Sequence, residues 1–187
     1  MTKHLYDCFS HWYRGGQIYV YSDPHFNDDE MVYIRKDYIS DEAQVRRINS
    51  KIGKNDTLII LGDVGDIEFI KRIRGYKVLI TGNHDKGESV YKGIFNEVYT
   101  GALTINDKVI LSHEPLILPK CFYNIHGHDH SKDFKDDDYH LNVCAEHINY
   151  TPISLSNLLK DGSLKHITSM HRETINMAIK KKRERRS

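Results

Sequence analysis

Short apolar runs, separated by polar turns and by stretches of helical periodicity, form the main pattern of this chain. Residues 17–22, 57–61 and 76–81 are apolar along most of their length, which is typical of strands covered on both faces. Residues 41–52 instead place apolar side chains at helical spacing, with Ser40 or Asp41 as the expected cap. A shorter helix is predicted over residues 66–74. This alternation indicates α/β layering with right-handed crossovers.

The second half of the chain carries strand patterns in closer succession. Short strands are predicted at residues 98–100, 103–105, 109–112, 122–126 and 139–144. Helices follow at residues 154–160 and from about residue 168 into the basic end of the chain. No repeat or low-complexity linker divides the 187 residues. We therefore predict one domain, with a core over about residues 17–162 and a basic C-terminal helix or tail over residues 163–187.

Charge and cysteine content bear on the partners and the cellular compartment of the protein. The net charge is +1, but six basic residues and one acid among the last eight residues give a local +5, which leaves −4 for the rest. A solvated helix end is the expected role of this tail, and weak attraction to nucleic acid is the alternative. Three cysteines without paired spacing indicate thiols in a reducing cytoplasm. No apolar run is long enough for a membrane span or a signal core, so we expect a cytoplasmic protein.

Metal-capable side chains follow the predicted strands in five places. They are Asp23 with His25, Asp63, Asn83 with His84, His113, and His128 with His130. Ligands collect beyond the carboxyl ends of strands in layered α/β folds, so we expect these side chains at one edge. Glycines at 62, 82 and 127 would let the backbone pass close to a crowded site. Oxygen and imidazole ligands without a thiolate suit Mn²⁺, Fe, Ni²⁺ or Zn²⁺.

One aspartate is expected to join two ions, because a carboxylate has two oxygens and enough charge to hold two cations. Asp63, after the central apolar strand, is the best candidate. Two ions roughly 3.5–4 Å apart would lower the pKa of a bridging water and bind phosphate oxygens, which suits phosphate ester hydrolysis. His84, just outside the pair, could protonate the leaving oxygen.

On these residues the sequence resembles the calcineurin-like metallophosphoesterase superfamily. Its five motifs are present as Asp23-Pro24-His25, Gly62-Asp63-Val64-Gly65-Asp66, Gly82-Asn83-His84-Asp85, His113 and Gly127-His128-Asp129-His130, over about residues 19–152. The resemblance implies a four-layer α/β/β/α sandwich of two mixed β-sheets flanked by helices, with a dinuclear site at the strand ends. It implies one metal held by Asp23, His25, Asp63 and His130, and another held by Asp63, Asn83, His113 and His128. His84 would be the catalytic proton donor, with Asp85 as its orienting partner.

Departures from the family motifs indicate which members of the superfamily the sequence resembles most. Asp66 is followed by Ile67 and Glu68, so the arginine that protein phosphatases carry after this aspartate is absent, and Asp66 itself is expected to cap a helix. His84 stands where the lipid-A pathway pyrophosphatases typically have arginine. The layout is most similar to compact bacterial and phage phosphoesterases of unassigned substrate.

The expected function is a phosphoesterase that uses two divalent ions, with Mn²⁺ preferred and Fe, Ni or Zn as alternatives. A small phosphodiester or nucleotide is the expected substrate, because no arginine is placed to clamp a dianionic monoester. A nuclease acting on DNA or RNA is an alternative that only the basic tail supports. A non-catalytic protein-interaction scaffold is another, which the complete ligand set disfavours. The oligomeric state is left open by the sequence, and no membrane partner is expected.

Overall fold

Two mixed β-sheets lie face to face in the computed structural model, which describes residues 5–35, 37–131 and 137–185. The strands are β1 (Ile18–Tyr21), β2 (Thr57–Ile60), β3 (Tyr76–Thr81), β4 (Glu97–Thr100), β5 (Leu103–Thr104), β6 (Val109–Leu111), β7 (Tyr123–His126), β8 (His140–Asn142) and β9 (Ile153–Ser154). The first sheet has the order β4-β3-β2-β1-β9, in which only β9 runs antiparallel. The second has the order β5-β6-β7-β8, in which only β5 runs antiparallel. The predicted α/β class with two mixed sheets flanked by helices is confirmed.

The continuous apolar runs are explained by burial of the first sheet on both faces. Leu58 and Ile60 of β2 face a cluster that contains the neighbouring helices. Ile59 faces a second cluster, which contains Leu111 and Ile125 of the other sheet. Complete burial of each such side chain stabilises the fold by about 1.5–3 kcal/mol. A polar residue on either face of β2 would lose this stabilisation. Apolar and polar residues therefore do not alternate along the strand.

The described residues contain five α-helices, and in four of them a polar side chain caps the first turn. They are α1 (Met31–Ile34), α2 (Asp41–Lys51), α3 (Ile67–Lys71), α4 (Leu155–Leu158) and α5 (Met170–Glu184), and short 3-10 helices span Asp7–Trp12 and Glu88–Val90. The Ser40 hydroxyl accepts from the backbone N–H of Ala43 at 3.4 Å, as an N-cap does. Asp66 caps α3 by accepting from the N–H of Glu68 at 2.9 Å, as the sequence predicts.

Different segments cover the outer faces of the two sheets. Val45 and Ile48 of α2 are buried against the first sheet. Residues 114–122 cross the outer face of the second sheet, where the N–H of Leu116 donates to the Asn124 side chain at 2.8 Å. The basic helix predicted near the end of the chain is α5, which has no buried residue. Arg186 and Ser187 of the predicted tail lie outside the described residues. Among the described helices, none has the length and apolar content needed to cross a membrane.

A glutamate on β4 fastens the first 3-10 helix to the sheet. Glu97 accepts from the Trp12 indole at 3.0 Å, lies 2.7 Å from His11 Nε2, and accepts from the Tyr99 hydroxyl at 2.5 Å. Burial alone would raise the pKa of Glu97. Hydrogen bonds to Tyr99, His11 and other neighbours outweigh burial, and the pKa lies below its ordinary value. The ionised carboxylate is therefore the form that stabilises this corner of the fold.

Replacing Glu97 by glutamine should destabilise the protein by roughly 1–3 kcal/mol at pH 7, because hydrogen bonds to a charged acceptor are lost. Since the folded-state pKa lies below the unfolded one, this stabilisation is complete above the ordinary glutamate range and disappears as the pH falls through the folded-state pKa. Urea unfolding at a series of pH values measures it. The gap between wild type and variant should close on acidification. A gap that does not change with pH would contradict this account, and Glu88→Gln at an exposed position is the control.

Candidate functional site

The seven predicted metal ligands meet at the carboxyl edge of the two sheets. Among the described residues, three groups of side chains have ligand atoms within 4.8 Å of one another, and these are Asp23 with His25 and His130, Asp63 with His113 and His128, and His130 with Cys144 and Glu146. The first two groups consist of predicted ligands. Asn83 joins the second group, since its Oδ1 lies 2.8 Å from His113 Nε2. The strand ends thus bring together side chains from β1, β2, β3, β6 and β7.

Asp63 lies between the two groups. Its Oδ2 is 3.5 Å from His25 Nε2 in the first group and 3.5 Å from His113 Nε2 in the second. His130 Nε2 lies 3.5 Å from Asp23 Oδ1 on the far side of the first group. The Asp63 carboxylate therefore lies within reach of both groups.

The backbone at the ligands is held in an uncommon conformation. Four of the seven predicted ligands have left-handed φ angles, and these are Asp23 at 53°, His25 at 46°, Asp63 at 49° and His128 at 67°. This region costs about 1–2 kcal/mol per residue that carries a Cβ. Hydrogen bonds across the turns hold it, including Asp23 N–H to the Gly62 carbonyl at 3.1 Å and His25 N–H to the Asp63 carbonyl at 3.0 Å. Such clusters of strain are typical of functional sites.

Three glycines make room for the ligands, and a Cβ at one of them, Gly82, would overlap the Asp63 carboxylate. Gly62 has φ +91°, and a Cβ there would overlap the imidazole of His113. A Cβ at Gly127 would overlap the Ser22 hydroxyl and the Asp23 carboxylate. The predicted close approach of backbone to the site is therefore observed at all three positions.

Three of the histidines are oriented through their outer ring nitrogen. The Nδ1–H donates to the Asp28 carboxylate at 3.1 Å in His25, to the Leu61 carbonyl at 2.8 Å in His113, and to the Glu146 carboxylate at 2.6 Å in His130. The Nε2 atom of each is left for the centre. Histidines that bind metals are typically anchored in this way, which fixes the tautomer and the ring orientation.

Unsatisfied polar atoms mark the middle of the first group. Within the described residues, Asp23 Oδ1 and His25 Nε2 are buried and have no hydrogen-bond partner. A buried polar atom without a partner costs about 1–3 kcal/mol. A divalent cation would satisfy both atoms at once, so the residues present fit the metal pair that the sequence implies.

The charges of the first group depend on one another. Burial opposes ionisation of Asp23, but the adjacent His130 and His113 lower the pKa of its carboxyl to about 2. Burial also opposes protonation of His130, yet its contacts with Asp23 and Glu146 raise the pKa of the imidazole to about 9. For His25 burial dominates and lowers the pKa. The carboxylates thus carry the negative charge that attracts a cation.

His84 and Asp85 do not pair as expected. The ring of His84 is exposed at the mouth of the site, with its centroid 5.7 Å from that of His25, and its backbone N–H donates to Asp63 Oδ1 at 2.9 Å. Asp85 accepts hydrogen bonds elsewhere, from the N–H groups of Asp63, Val64 and Gly82 and from the Tyr91 hydroxyl. None of these bonds reaches the His84 ring. Asp85 stabilises the turns that carry the ligands, because its carboxylate accepts hydrogen bonds from their backbone N–H groups.

Three residues that support the site were not predicted from the sequence. Asp28 supports His25, and Glu146 with Arg35 supports the first group from behind. The three-residue spacing between His25 and Asp28 is a signal that could have found the first pair. No local pattern marks Arg35 or Glu146, because their partners are distant in the sequence.

The centre opens into cavities on two sides. One, of about 540 Å³, is bounded by His84 together with Phe26, Asp28, Asp66 and Tyr91. Asp29 and Lys86 also line it, so carboxylates outnumber the one lysine on its wall. The other, of about 320 Å³, is bounded by Asn83, His113 and Glu114. A phosphate at the centre could extend a substituent into each cavity.

The chain is similar to several known proteins. A family model described as calcineurin-like phosphoesterase matches residues 16–183, which include all five motifs. An uncharacterized protein from Methanocaldococcus jannaschii is 27% identical over 166 residues, or 77% of this chain and 90% of that protein. A solved protein of unknown function from Aquifex aeolicus gives a TM-score of 0.66 at 25% identity, over 76% of this chain and 97% of that chain. A Pseudomonas putida nuclease gives a TM-score of 0.44 at 21% identity, over 63% of each chain.

Proposed function

This chain belongs to the calcineurin-like phosphoesterase family, and from that premise we propose that it hydrolyses phosphodiesters at a centre of two divalent metal ions. The observation that supports a diester is the pair of cavities beside the centre. A diester carries two organic substituents on one phosphate, and each cavity offers room for one of them. A monoester would fill only one.

The residues fit a division into two ion positions. Asp23, His25 and His130 would hold one ion, and Asn83, His113 and His128 the other, with Asp63 shared. When bound, two such ions supply an acidified water and neutralise charge on the phosphate oxygens. A donor set of carboxylate, amide and imidazole without thiolate is compatible with Mn²⁺, which we propose as the working metal, and with Fe, Ni²⁺ or Zn²⁺.

His84 is the proposed proton donor. It lies at the mouth of the centre and lines the larger cavity, so a leaving group in that cavity would have its oxygen next to the imidazole. Protonation of that oxygen by His84 would prevent charge from building up as the P–O bond breaks. Asp85 acts here as a positioning residue for the Asp63 and Gly82 turns.

The arginine closest to this chemistry is already engaged. Arg35 is buried, and its guanidinium donates to the carbonyls of Asp23 and Pro24. It therefore cannot clamp the second negative charge of a monoester. Asp28, Asp29 and Asp66 on the wall of the larger cavity would repel a polyanionic strand, which favours a small diester over nucleic acid. Three unpaired cysteines agree with action in a reducing cytoplasm.

Hydrolysis of bis-p-nitrophenyl phosphate tests the proposal against two competing substrates. With Mn²⁺ present, we expect kcat/KM for this diester to exceed that for p-nitrophenyl phosphate by at least about tenfold, equivalent to about 1.4 kcal/mol in transition-state binding. A labelled single-stranded oligonucleotide should remain intact in the same preparation. Protein stripped with a chelator is the control. A preference for the monoester would rule out the diester, and rapid strand cleavage would favour a nuclease.

A further inference from the structure

An ion pair behind the metal centre joins two ligand-bearing segments that are far apart in the sequence. Arg35 follows α1, and Glu146 lies beyond β8. Their side chains are 1% and 11% exposed, and Arg35 Nε lies 3.1 Å from Glu146 Oε2. We call these two residues the brace.

Each end of the brace contacts a segment that carries ligands. Glu146 Oε1 accepts from His130 Nδ1–H at 2.6 Å, which directs Nε2 of that ring towards Asp23. The Arg35 guanidinium donates to the Asp23 carbonyl and, at 3.3 Å, to the Pro24 carbonyl. These carbonyls belong to the turn in which Asp23 has a left-handed backbone.

The second ligand group has separate supports. His113 is anchored by the Leu61 carbonyl, and the backbone N–H groups of Asp63 and Gly82 are anchored by Asp85. The contacts of the brace run instead to Asp23, Pro24 and His130. One hydrogen bond links the groups, from the His128 N–H to the Asp23 carboxylate at 2.9 Å. Loss of the brace should therefore disturb the first group of ligands more than the second.

We propose that Arg35 and Glu146 are positioning residues that set the affinity of one ion of the pair, the ion held by Asp23, His25 and His130. The inference rests on the proposed two-metal function. Partners that orient a metal-binding histidine are commonly worth about 10–100-fold in metal affinity. The buried pair could instead serve folding alone, because removing one member of a buried ion pair is strongly destabilising. The test must separate these two roles.

Metal content per chain distinguishes a positioning role of the brace from a role in folding alone. Metal-free wild type, Glu146→Gln and Glu146→Ala are each titrated with Mn²⁺ by calorimetry, then dialysed against limiting Mn²⁺ and analysed by atomic emission. Wild type should hold two ions. Glu146→Ala should hold one tightly and bind the second about 10–100-fold more weakly. Glu146→Gln should lose less affinity for the second ion, because the amide oxygen can still accept from His130 Nδ1–H.

The matched control is Glu97→Gln, which removes another partly buried and hydrogen-bonded carboxylate, on β4. It should lower the thermal midpoint of the metal-free protein while both ions bind as in wild type. Retention of two tight ions by Glu146→Ala would overturn the proposal, as would equal weakening of both ions. If the alanine variant does not fold, the near-isosteric Glu146→Gln decides instead: one ion should bind measurably more weakly than in wild type, and two ions of wild-type affinity would overturn the proposal. Wild type that binds no Mn²⁺ would refute the two-metal function itself, which is a distinguishable result.

Discussion

Replacing His84 by alanine should lower the hydrolysis of a diester with an alkyl leaving group by about 10²–10⁴-fold, the usual contribution of a positioned general acid. The metal content should not change, because the contact between His84 and Asp63 is made by the backbone N–H and survives the substitution. The loss should be smaller for p-nitrophenyl esters, since p-nitrophenolate is a stable anion that needs little protonation. This dependence on the leaving group is the signature of a proton donor.

The experiment compares kcat for wild type and His84→Ala on diesters that differ only in the leaving alcohol. His171→Ala on the exposed helix α5 is the matched control and should leave the rate unchanged. An equal loss for good and poor leaving groups would show that His84 does not donate the proton and acts on the phosphate instead. A non-catalytic scaffold would show no hydrolysis in either protein.

Replacing Asp63 by asparagine should release both ions, unlike any change to the brace. The amide is neutral and offers one oxygen, whereas Asp63 Oδ2 lies 3.5 Å from histidines of both groups. We expect kcat/KM to fall by about 10³-fold or more, because the metal pair supplies several kcal/mol of transition-state stabilisation. The fold should persist, since asparagine tolerates the left-handed φ and can still accept from the N–H of His84.

Metal analysis and kinetics on the same preparation check this result. Asp161→Asn is the matched control away from the centre, because this exposed carboxylate accepts from the N–H of Ser163 at 2.8 Å and an asparagine oxygen can do the same. The control should keep both ions and most of the activity. An Asp63→Asn protein that retained two ions at wild-type affinity would show that Asp63 is not shared between them.

The fold class and the location of the site follow from local signals. The runs at residues 57–61 and 76–81 are observed as β2 and β3, and both are buried as their apolar composition predicts. The ligands follow strands directly, so the position of each is fixed by the strand that precedes it. The grouping of the seven side chains was thus predictable once the strands were assigned to two sheets.

The role expected for Asp85 shows where sequence reasoning failed. The family resemblance implied that Asp85 orients His84, but the carboxylate turns towards the N–H groups of Asp63, Val64 and Gly82. Those donors belong to tight turns whose conformation the sequence does not specify. Unpaired backbone donors are costly when buried, so they take the nearest carboxylate.

The sequence by itself determined the α/β class, the strand ends and the identity of the side chains at the centre, because these depend on apolar periodicity and on residues a few positions apart. Only the tertiary structure decided where the cavities open and that Arg35 and Glu146 meet behind His130. Such contacts join residues that are distant in the chain, and only the packing of the two sheets brings them within hydrogen-bonding distance.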